Sequence, residues 1–224
     1  MTSAKLKYIA IITMFIDHIG EFIFSDLYGF DSMEYMICKI IGRIAFPIFA
    51  FLLVEGLKKT KNKKKYFFNL LIFALISEIP FDLAVSGKYI DFEQQNVFFT
   101  LLTNLTMLYI IDKIKIKNVN IKILFELFIV TFFSIVSFYF KFDYLFFAPW
   151  IIYTYYKFYE NKKILFLVSE LSFFFEFDSL VHIGNILIYL YNGERGKQNK
   201  YFFYLFYPIH IIIIYLIKIF LINL

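Results

Sequence analysis

Long apolar stretches, separated by short charged segments, run along the whole of the 224-residue chain. They predict helices at residues 8–24, 37–57, 66–85, 96–111, 123–140, 144–159, 164–177, 180–192 and 201–222. A membrane-spanning helix needs about 20 mostly apolar residues, so these segments occupy almost the entire chain. The pattern therefore predicts an all-α, polytopic transmembrane helix bundle of about nine spanning helices, built as a single domain over residues 1–224.

The composition supports a lipid environment and excludes an ordinary soluble domain. Hydrophobic residues make up 61% of the chain and aromatic residues 23%, and the mean hydropathy is +0.70. Soluble domains are only about 45–50% apolar when Gly is counted and Tyr is not, and on that definition this chain is about 57% apolar. The first apolar segment contains Asp17 and His18 and ends without a small-residue cleavage site, so we expect it to remain as a membrane helix rather than be removed as a signal peptide.

The distribution of charge predicts an orientation. Most of the 23 basic residues fall in alternate connections, at Lys5 and Lys7 and within residues 58–65, 113–122, 157–163 and 195–200. The other connections are mainly acidic, with Asp26, Asp31, Glu34, Asp91, Glu93, Asp143, Glu176 and Asp178. Because cytoplasmic loops collect Lys and Arg, the pattern predicts a cytoplasmic N-terminus in the inner (cytoplasmic) membrane. It does not favour nucleic acid as a partner.

Polar side chains inside apolar segments are the candidates for function, because an ionisable group there costs at least about 2.5–3.5 kcal/mol on insertion scales. We expect most of them to line one outward-facing polar chamber formed by the first four helices, with a further group on the last helix. The candidates are Asp17, His18, Glu21, Arg43, Glu78, Asn96, Thr100, Tyr207 and His210.

Local geometry refines these candidates and leaves structural alternatives open. Glu21 follows His18 by three positions and can reach it on a helix, whereas Asp17 points elsewhere. Pro47 cannot bond the carbonyl of Arg43, which predicts a helix break beside that guanidinium. Asp17 with Arg43 can also form a purely structural ion pair, and His210 can be a core histidine bonded to a carbonyl. Glu126, Glu170 and His182 are interpreted as structural.

Several stretches in this order resemble the TraX family, which is associated with acetylation of the N-terminus of conjugative pilin. They are KYIAIITMFIDHIG (7–20), GRIAFPIFAFLLVEG (42–56), SEIPFDLA (77–84), NVFFTLL (96–102) and YNGERGKQNKYFFYLFYPIH (191–210). The wider resemblance is to membrane-bound acyltransferases of the acyltransferase-3 type. It implies an acyl-CoA donor entering from the cytoplasm and an acceptor met within or across the membrane. This chain lacks the Arg that such relatives carry about ten residues before the His, and Lys7 is the nearest substitute.

The resemblance leads to a mechanistic hypothesis. His18 is expected to act as a base, with Asp17 or Glu21 favouring its protonated form. Arg43 is then the counter-ion of that carboxylate or an anchor for the acceptor, while Asn96 and Thr100 donate hydrogen bonds near the reacting carbonyl. Tyr207 and His210 are expected around the donor's thioester. The phosphates of acetyl-CoA are expected at the cytoplasmic cations Lys58, Lys59, Lys61, Arg195 and Lys197, and no metal is expected.

Two other classes of function remain open at this stage. Buried ionisable groups with proline-interrupted helices also form ion paths, as in a proton-coupled transporter or permease. A non-catalytic assembly factor for conjugation or a surface appendage is the third class. The acceptor of the favoured acyltransferase is expected to be a peptide or pilin N-terminus or a small amine or hydroxyl compound.

Overall fold

The computed structural model describes residues 1–173 and 180–222, and throughout these ranges the regular structure is helical. The helices are α1 (Ser3–Ile19), continued by a π-helical turn (Gly20–Phe24) and α2 (Ser25–Tyr28), then α3 (Met33–Gly42), α4 (Ala45–Lys59), α5 (Lys63–Ser86), α6 (Val97–Lys113), α7 (Val119–Tyr139), α8 (Phe147–Phe158), α9 (Lys162–Ser172), α10 (Val181–Tyr189) and α11 (Lys200–Ile222). The predicted all-α class is confirmed for the described residues.

Five helical stretches are long and apolar enough to cross a membrane: Ser3–Tyr28, Met33–Lys59, Lys63–Ser86, Val119–Tyr139 and Tyr201–Leu221. Helices α8, α9 and α10 have 12, 11 and 9 residues. At about 1.5 Å per residue they are shorter than a hydrocarbon core of about 30 Å. The expected count of nine spanning helices is therefore not confirmed. Residues 174–177 of the predicted helix 164–177 lie outside the described residues, as do Glu176 and Asp178.

The second span is broken where the proline pattern predicts it. Helix α3 ends at Gly42, and α4 begins at Ala45. Pro47 has no N–H to donate to the Arg43 carbonyl, and the missing hydrogen bond favours an interruption of the helix there. The break packs against α10, where a Cβ on Gly184 would come within 2.5 Å of the Pro47 ring. Arg43 thus lies in a turn rather than on a helix face.

The basic connections gather at one end of the bundle. Lys59 donates to the Gly193 carbonyl at 2.6 Å, and Lys63 pairs with Asp112. Lys58 lies 4.1 Å from the centre of the Tyr156 ring. At the opposite end, Lys218 pairs with Asp26 at 2.6 Å. The structure therefore groups the basic segments together, as the charge alternation predicts, although it does not show which end faces the cytoplasm.

Candidate functional site

Two histidines meet in the interior, although 192 positions separate them along the chain. Nδ1 of His18 on α1 lies 2.7 Å from Nε2 of His210 on α11, and the two rings are nearly parallel, at 8°. Nδ1 of His210 lies 2.8 Å from the Phe206 carbonyl oxygen. His210, expected around the donor's thioester, lies in direct contact with His18, the expected base.

The carbonyl fixes the protonation of the neutral pair. A carbonyl oxygen can only accept, so Nδ1 of His210 must carry the hydrogen and donate to Phe206. Neutral His210 then accepts at Nε2, which requires His18 to donate from Nδ1. Nε2 of His18 is left as the unprotonated nitrogen of the pair. This arrangement makes His18 the member that can take a proton from another molecule.

Helix α1 changes geometry two residues after His18. Residues Gly20–Phe24 form a π-helical turn, a local distortion that often occurs at functional sites. Gly20 also allows a close approach to α3, because a Cβ there would lie 2.6 Å from Cβ of Cys38. Gly42 does the same beside Asp17, whose Oδ1 would lie 2.2 Å from an added Cβ. The two glycines hold α3 tightly against the polar face of α1.

Lys39 on α3 forms ion pairs with Asp17 on α1 and with Glu21 in the π-helical turn. Its ammonium lies 3.0 Å from a carboxylate oxygen of Asp17 and 3.0 Å from one of Glu21. The Tyr35 hydroxyl donates to the same Glu21 oxygen at 3.4 Å. Lys39 therefore fills the counter-ion position that the sequence suggested for Arg43. Glu21 bonds Tyr35 and Lys39 on α3, and no described hydrogen bond joins it to His18, in contrast to the expected Glu21–His18 contact.

Arg43 and Asp143 lie near this ion cluster. The Arg43 guanidinium carbon is 5.4 Å from the centre of the Tyr144 ring, and Tyr144 adopts a positive φ of 58°. Asp143 lies in the connection between α7 and α8. The Asp143 side chain reaches solvent. The surrounding protein atoms nevertheless remove part of the hydration of its carboxyl group, which raises its pKa to about 6. The carboxylates of Asp17 and Glu21 also raise this pKa, while the positive charges of Lys39 and Arg43 lower it.

Asn96 and Thr100 have structural partners instead of lining open space. The Asn96 amide donates to the Ala74 carbonyl at 2.9 Å and to Glu78, and its oxygen accepts from the Phe98 N–H at 3.0 Å, capping α6. The Thr100 hydroxyl accepts from the Asp143 N–H at 3.1 Å. Since the donors of Asn96 are occupied, the geometry favours a positioning role for Asn96 over the expected contact with a reacting carbonyl.

A cavity of about 470 Å³ extends from the basic end to Tyr207. Cationic and polar residues line its mouth, including Lys7, Lys59, Asn62, Lys65, Arg195 and Gln198. Apolar and aromatic residues line its inner part, including Met14, Val97, Phe98, Leu101 and Tyr207. The Tyr207 ring centre lies 5.8 Å from that of His18 and 5.5 Å from that of His210. One lining residue, Tyr207, thus packs against both histidines, which are not themselves among the residues that line the cavity.

The expected phosphate-binding cations separate into two groups. Lys59 and Arg195 line the cavity, and Lys59 is already paired with Glu55 at 2.8 Å. Lys58, Lys61 and Lys197 are not among its lining residues, and Lys58 packs on Tyr156. Among the described residues, the Arg195 guanidinium and the Lys65 ammonium have no hydrogen-bond or ion-pair partner. These two are the mouth cations best able to bind an added anion.

Sequence reasoning missed Lys39 and Lys65 as site residues. Lys39 lies near the start of the second apolar segment, where a lysine is ordinarily interpreted as reaching back to the interface. A usable signal was the acidic pair Asp17 and Glu21, one turn apart on one helix face, which requires a nearby cation. Lys65 belonged to a basic run in which spacing alone does not identify the cation that faces inward.

The third histidine belongs to a separate network. His182 Nδ1 lies 2.7 Å from Glu170, Asn185 donates to the same carboxylate at 2.7 Å, and the Tyr155 hydroxyl donates to Asn185 at 2.8 Å. Glu126 pairs with Lys157 at 2.7 Å. These contacts join α7, α8, α9 and α10 to one another, in agreement with a structural interpretation.

Comparison with known proteins gives a family match over nearly the whole chain. Residues 2–218 match the family model described as TraX protein. The chain is 31% identical over 251 aligned positions to the "Probable fimbrial assembly protein FimC, serogroup H1" of Dichelobacter nodosus, covering 97% of this chain and 96% of that protein. No solved structure matches significantly. With the match extending over both histidines, Lys39 and the cavity residues, the chain belongs to the TraX family.

Proposed function

We propose that this chain is a membrane-embedded acetyltransferase. It moves an acetyl group from cytoplasmic acetyl-CoA to an amine or hydroxyl acceptor, such as the N-terminus of a peptide or pilin subunit. The observation that carries the proposal is the cavity that leads from the cations Arg195 and Lys65 to Tyr207, beside the His18–His210 pair. Its volume of about 470 Å³ is within the range usual for small-molecule sites.

The orientation follows from the location of the donor. Acetyl-CoA is a cytoplasmic compound, and basic loops face the cytoplasm in membrane proteins. In the proposed arrangement the basic end and the N-terminus are therefore cytoplasmic, in the inner membrane. The polar groups around Lys39 and Asp143 then lie toward the other side, where the acceptor is expected to enter.

The chemistry assigned to the residues balances without a metal. The donor's phosphates bind at Arg195 and Lys65 through charge-assisted hydrogen bonds. The acceptor's nitrogen or oxygen attacks the thioester carbonyl, and Nε2 of His18 takes the acceptor's proton. The new C–N or C–O bond forms as the C–S bond breaks. The CoA thiolate then receives the proton from the His18 imidazolium and leaves as the thiol.

His210 has a positioning role in this scheme. Its Nε2 lies 2.7 Å from Nδ1 of His18 and accepts the hydrogen carried by that nitrogen. This hydrogen bond orients the His18 ring and stabilises the imidazolium that forms during transfer. His210 is itself held by the Phe206 carbonyl. The arrangement resembles the orientation of a catalytic histidine by a third group in other acyl-transfer enzymes.

The name of the Dichelobacter nodosus relative refers to fimbrial assembly, which favours a surface-appendage subunit as the acceptor. The same name is also compatible with an assembly factor without turnover. Transfer of labelled acetyl separates these functions, because neither an assembly factor nor a proton-coupled permease forms an acetylated product.

Charge removal at the cavity mouth tests the location of the donor site. We expect Arg195→Gln and Lys65→Gln each to raise KM for acetyl-CoA about tenfold with little change in kcat, since loss of one charge-assisted hydrogen bond costs about 1.5–3 kcal/mol. Lys58→Gln is the matched control, because Lys58 packs on Tyr156, and its KM should stay near that of the wild type. An equal effect of Lys58→Gln and Lys65→Gln would contradict this location.

A further inference from the structure

The first four residues run alongside the connection between α10 and α11, residues 190–199. The Asn192 N–H donates to the Met1 carbonyl oxygen at 2.8 Å. The Ser3 N–H donates to the Glu194 backbone carbonyl at 2.9 Å, and the Ala4 N–H donates to the Arg195 backbone carbonyl at 3.0 Å. The Ser3 hydroxyl also donates to the Arg195 carbonyl at 3.1 Å. This ribbon of hydrogen bonds joins two segments that lie at opposite ends of the sequence.

The ribbon fixes the backbone of Arg195 and leaves its side chain available. The Arg195 carbonyl oxygen accepts from both the Ala4 N–H and the Ser3 hydroxyl, whereas its guanidinium has no hydrogen-bond or ion-pair partner in the described part of the chain. The side chain lines the mouth of the large cavity. One helical turn further on, Lys7 donates to Gln198 at 2.8 Å, and both of these residues line the same mouth.

Two glycines shape the connection, and they differ in what surrounds them. Gly193 has a φ of +83°, and a Cβ added there would meet nothing within 4 Å. Gly196 has a φ of +70°, and its Cβ would lie 2.6 Å from Oγ1 of Thr2 and 2.9 Å from Cβ of Thr2. Both substitutions to Ala incur the strain of an L-residue at positive φ. Only that at Gly196 also displaces the N-terminal segment.

We propose that residues 1–4 are a positioning element for the donor site: they hold the 190–199 connection so that Arg195 presents its guanidinium to the phosphates of acetyl-CoA, a role that rests on the proposed function. Thr2 is not among the lining residues of the cavity and acts through Gly196 and Arg195, whereas Ser3 both lines the cavity and bonds the Arg195 carbonyl. The N-terminal segment thus contributes to donor affinity without taking part in the transfer step.

The pair Gly196→Ala and Gly193→Ala tests this role in the full-length protein, with two readouts. Trypsin cleaves after Arg195 and Lys197, which lie on an exposed connection. We expect Gly196→Ala to be cleaved there about tenfold faster than either Gly193→Ala or the wild type. We also expect KM for acetyl-CoA to rise about tenfold in Gly196→Ala alone, at unchanged kcat, with Ser3→Ala giving a smaller change in the same direction.

A double variant distinguishes positioning from an independent effect on stability. If Gly196 acts only through Arg195, then Gly196→Ala combined with Arg195→Gln should have the same KM as Arg195→Gln alone. Additive effects would overturn the proposal, as would equal trypsin resistance of the two glycine variants, or faster cleavage of Gly196→Ala at unchanged KM. Each of these outcomes leaves an active wild type and the proposed function intact. A wild-type protein that transfers no acetyl would instead overturn the proposed function, and the positioning role with it.

Discussion

Lys39 lies between the carboxylates of Asp17 and Glu21, with its side chain 27% exposed. A mostly buried ion cluster of this kind gives little net stability when it is intact, because desolvation offsets the attraction. Removal of Lys39 is different, since it takes away the cation paired with two carboxylates that face each other across one helical turn. Lys39 is therefore expected to be the residue on which the stability of the polar face of α1 depends most.

Lys39→Met should lower the free energy of unfolding by about 2 kcal/mol, measured by denaturation in detergent. Lys88→Met is the control, because Lys88 forms a 3.3 Å pair with Asp91 but is 67% exposed; its effect should stay below about 1 kcal/mol. The double variant Asp17→Asn with Lys39→Met should recover part of the loss. Equal effects of Lys39→Met and Lys88→Met would show that the cluster is not coupled as described.

At the scale of elements, the connection between α7 and α8 joins the polar face to the rest of the bundle. Its Asp143 N–H is held by Thr100, and the pKa of the Asp143 carboxyl is raised from 3.8 to about 6. The folded state therefore binds a proton more tightly than the unfolded chain does. Asp143 contributes stability at pH values below about 4, and this contribution is lost as the pH rises through about 6.

The pH dependence of unfolding tests this sign. The stability of the wild type relative to Asp143→Asn should fall between about pH 4 and pH 6 and then level off. Asp91→Asn is a control of opposite sign, because the Glu93 N–H and the Ser86 hydroxyl lower the pKa of Asp91. Relative to that variant, wild-type stability should fall as the pH drops below about 4. A flat profile for Asp143→Asn would contradict the raised pKa.

At the scale of the whole molecule, hydropathy predicted where helices lie, but it predicted neither which of them are long enough to span nor where the site forms. Each predicted apolar segment contains a helix, and Pro47 located the break at residues 43–44. The His18–His210 contact joins residues 192 positions apart, so no local spacing predicts it. The cavity is defined by side chains from α1, α4, α5, α6 and α11 together. For the same reason, sequence reasoning selected Arg43 over Lys39 as the counter-ion.

The orientation of the bundle can be measured with single cysteines. In a Cys38→Ser background, Lys64→Cys lies at the basic end and Glu93→Cys at the opposite end, both on exposed positions. A membrane-impermeant maleimide added to intact spheroplasts should label Glu93→Cys. It should label Lys64→Cys only after the membrane is opened. The reverse pattern would place the basic end outside and separate the cavity mouth from cytoplasmic acetyl-CoA.

The central claim is that the His18–His210 pair performs acetyl transfer, and mass spectrometry of the product tests it most directly. Membranes containing the wild type or His18→Gln, His210→Gln or His182→Gln would be given isotopically labelled acetyl-CoA. We expect a labelled acetyl product from the wild type and from His182→Gln, whose histidine lies in the separate Glu170 network. His18→Gln should give none above background, and His210→Gln should be about 100-fold slower. No labelled product from the wild type, or undiminished product from His18→Gln, would contradict the account.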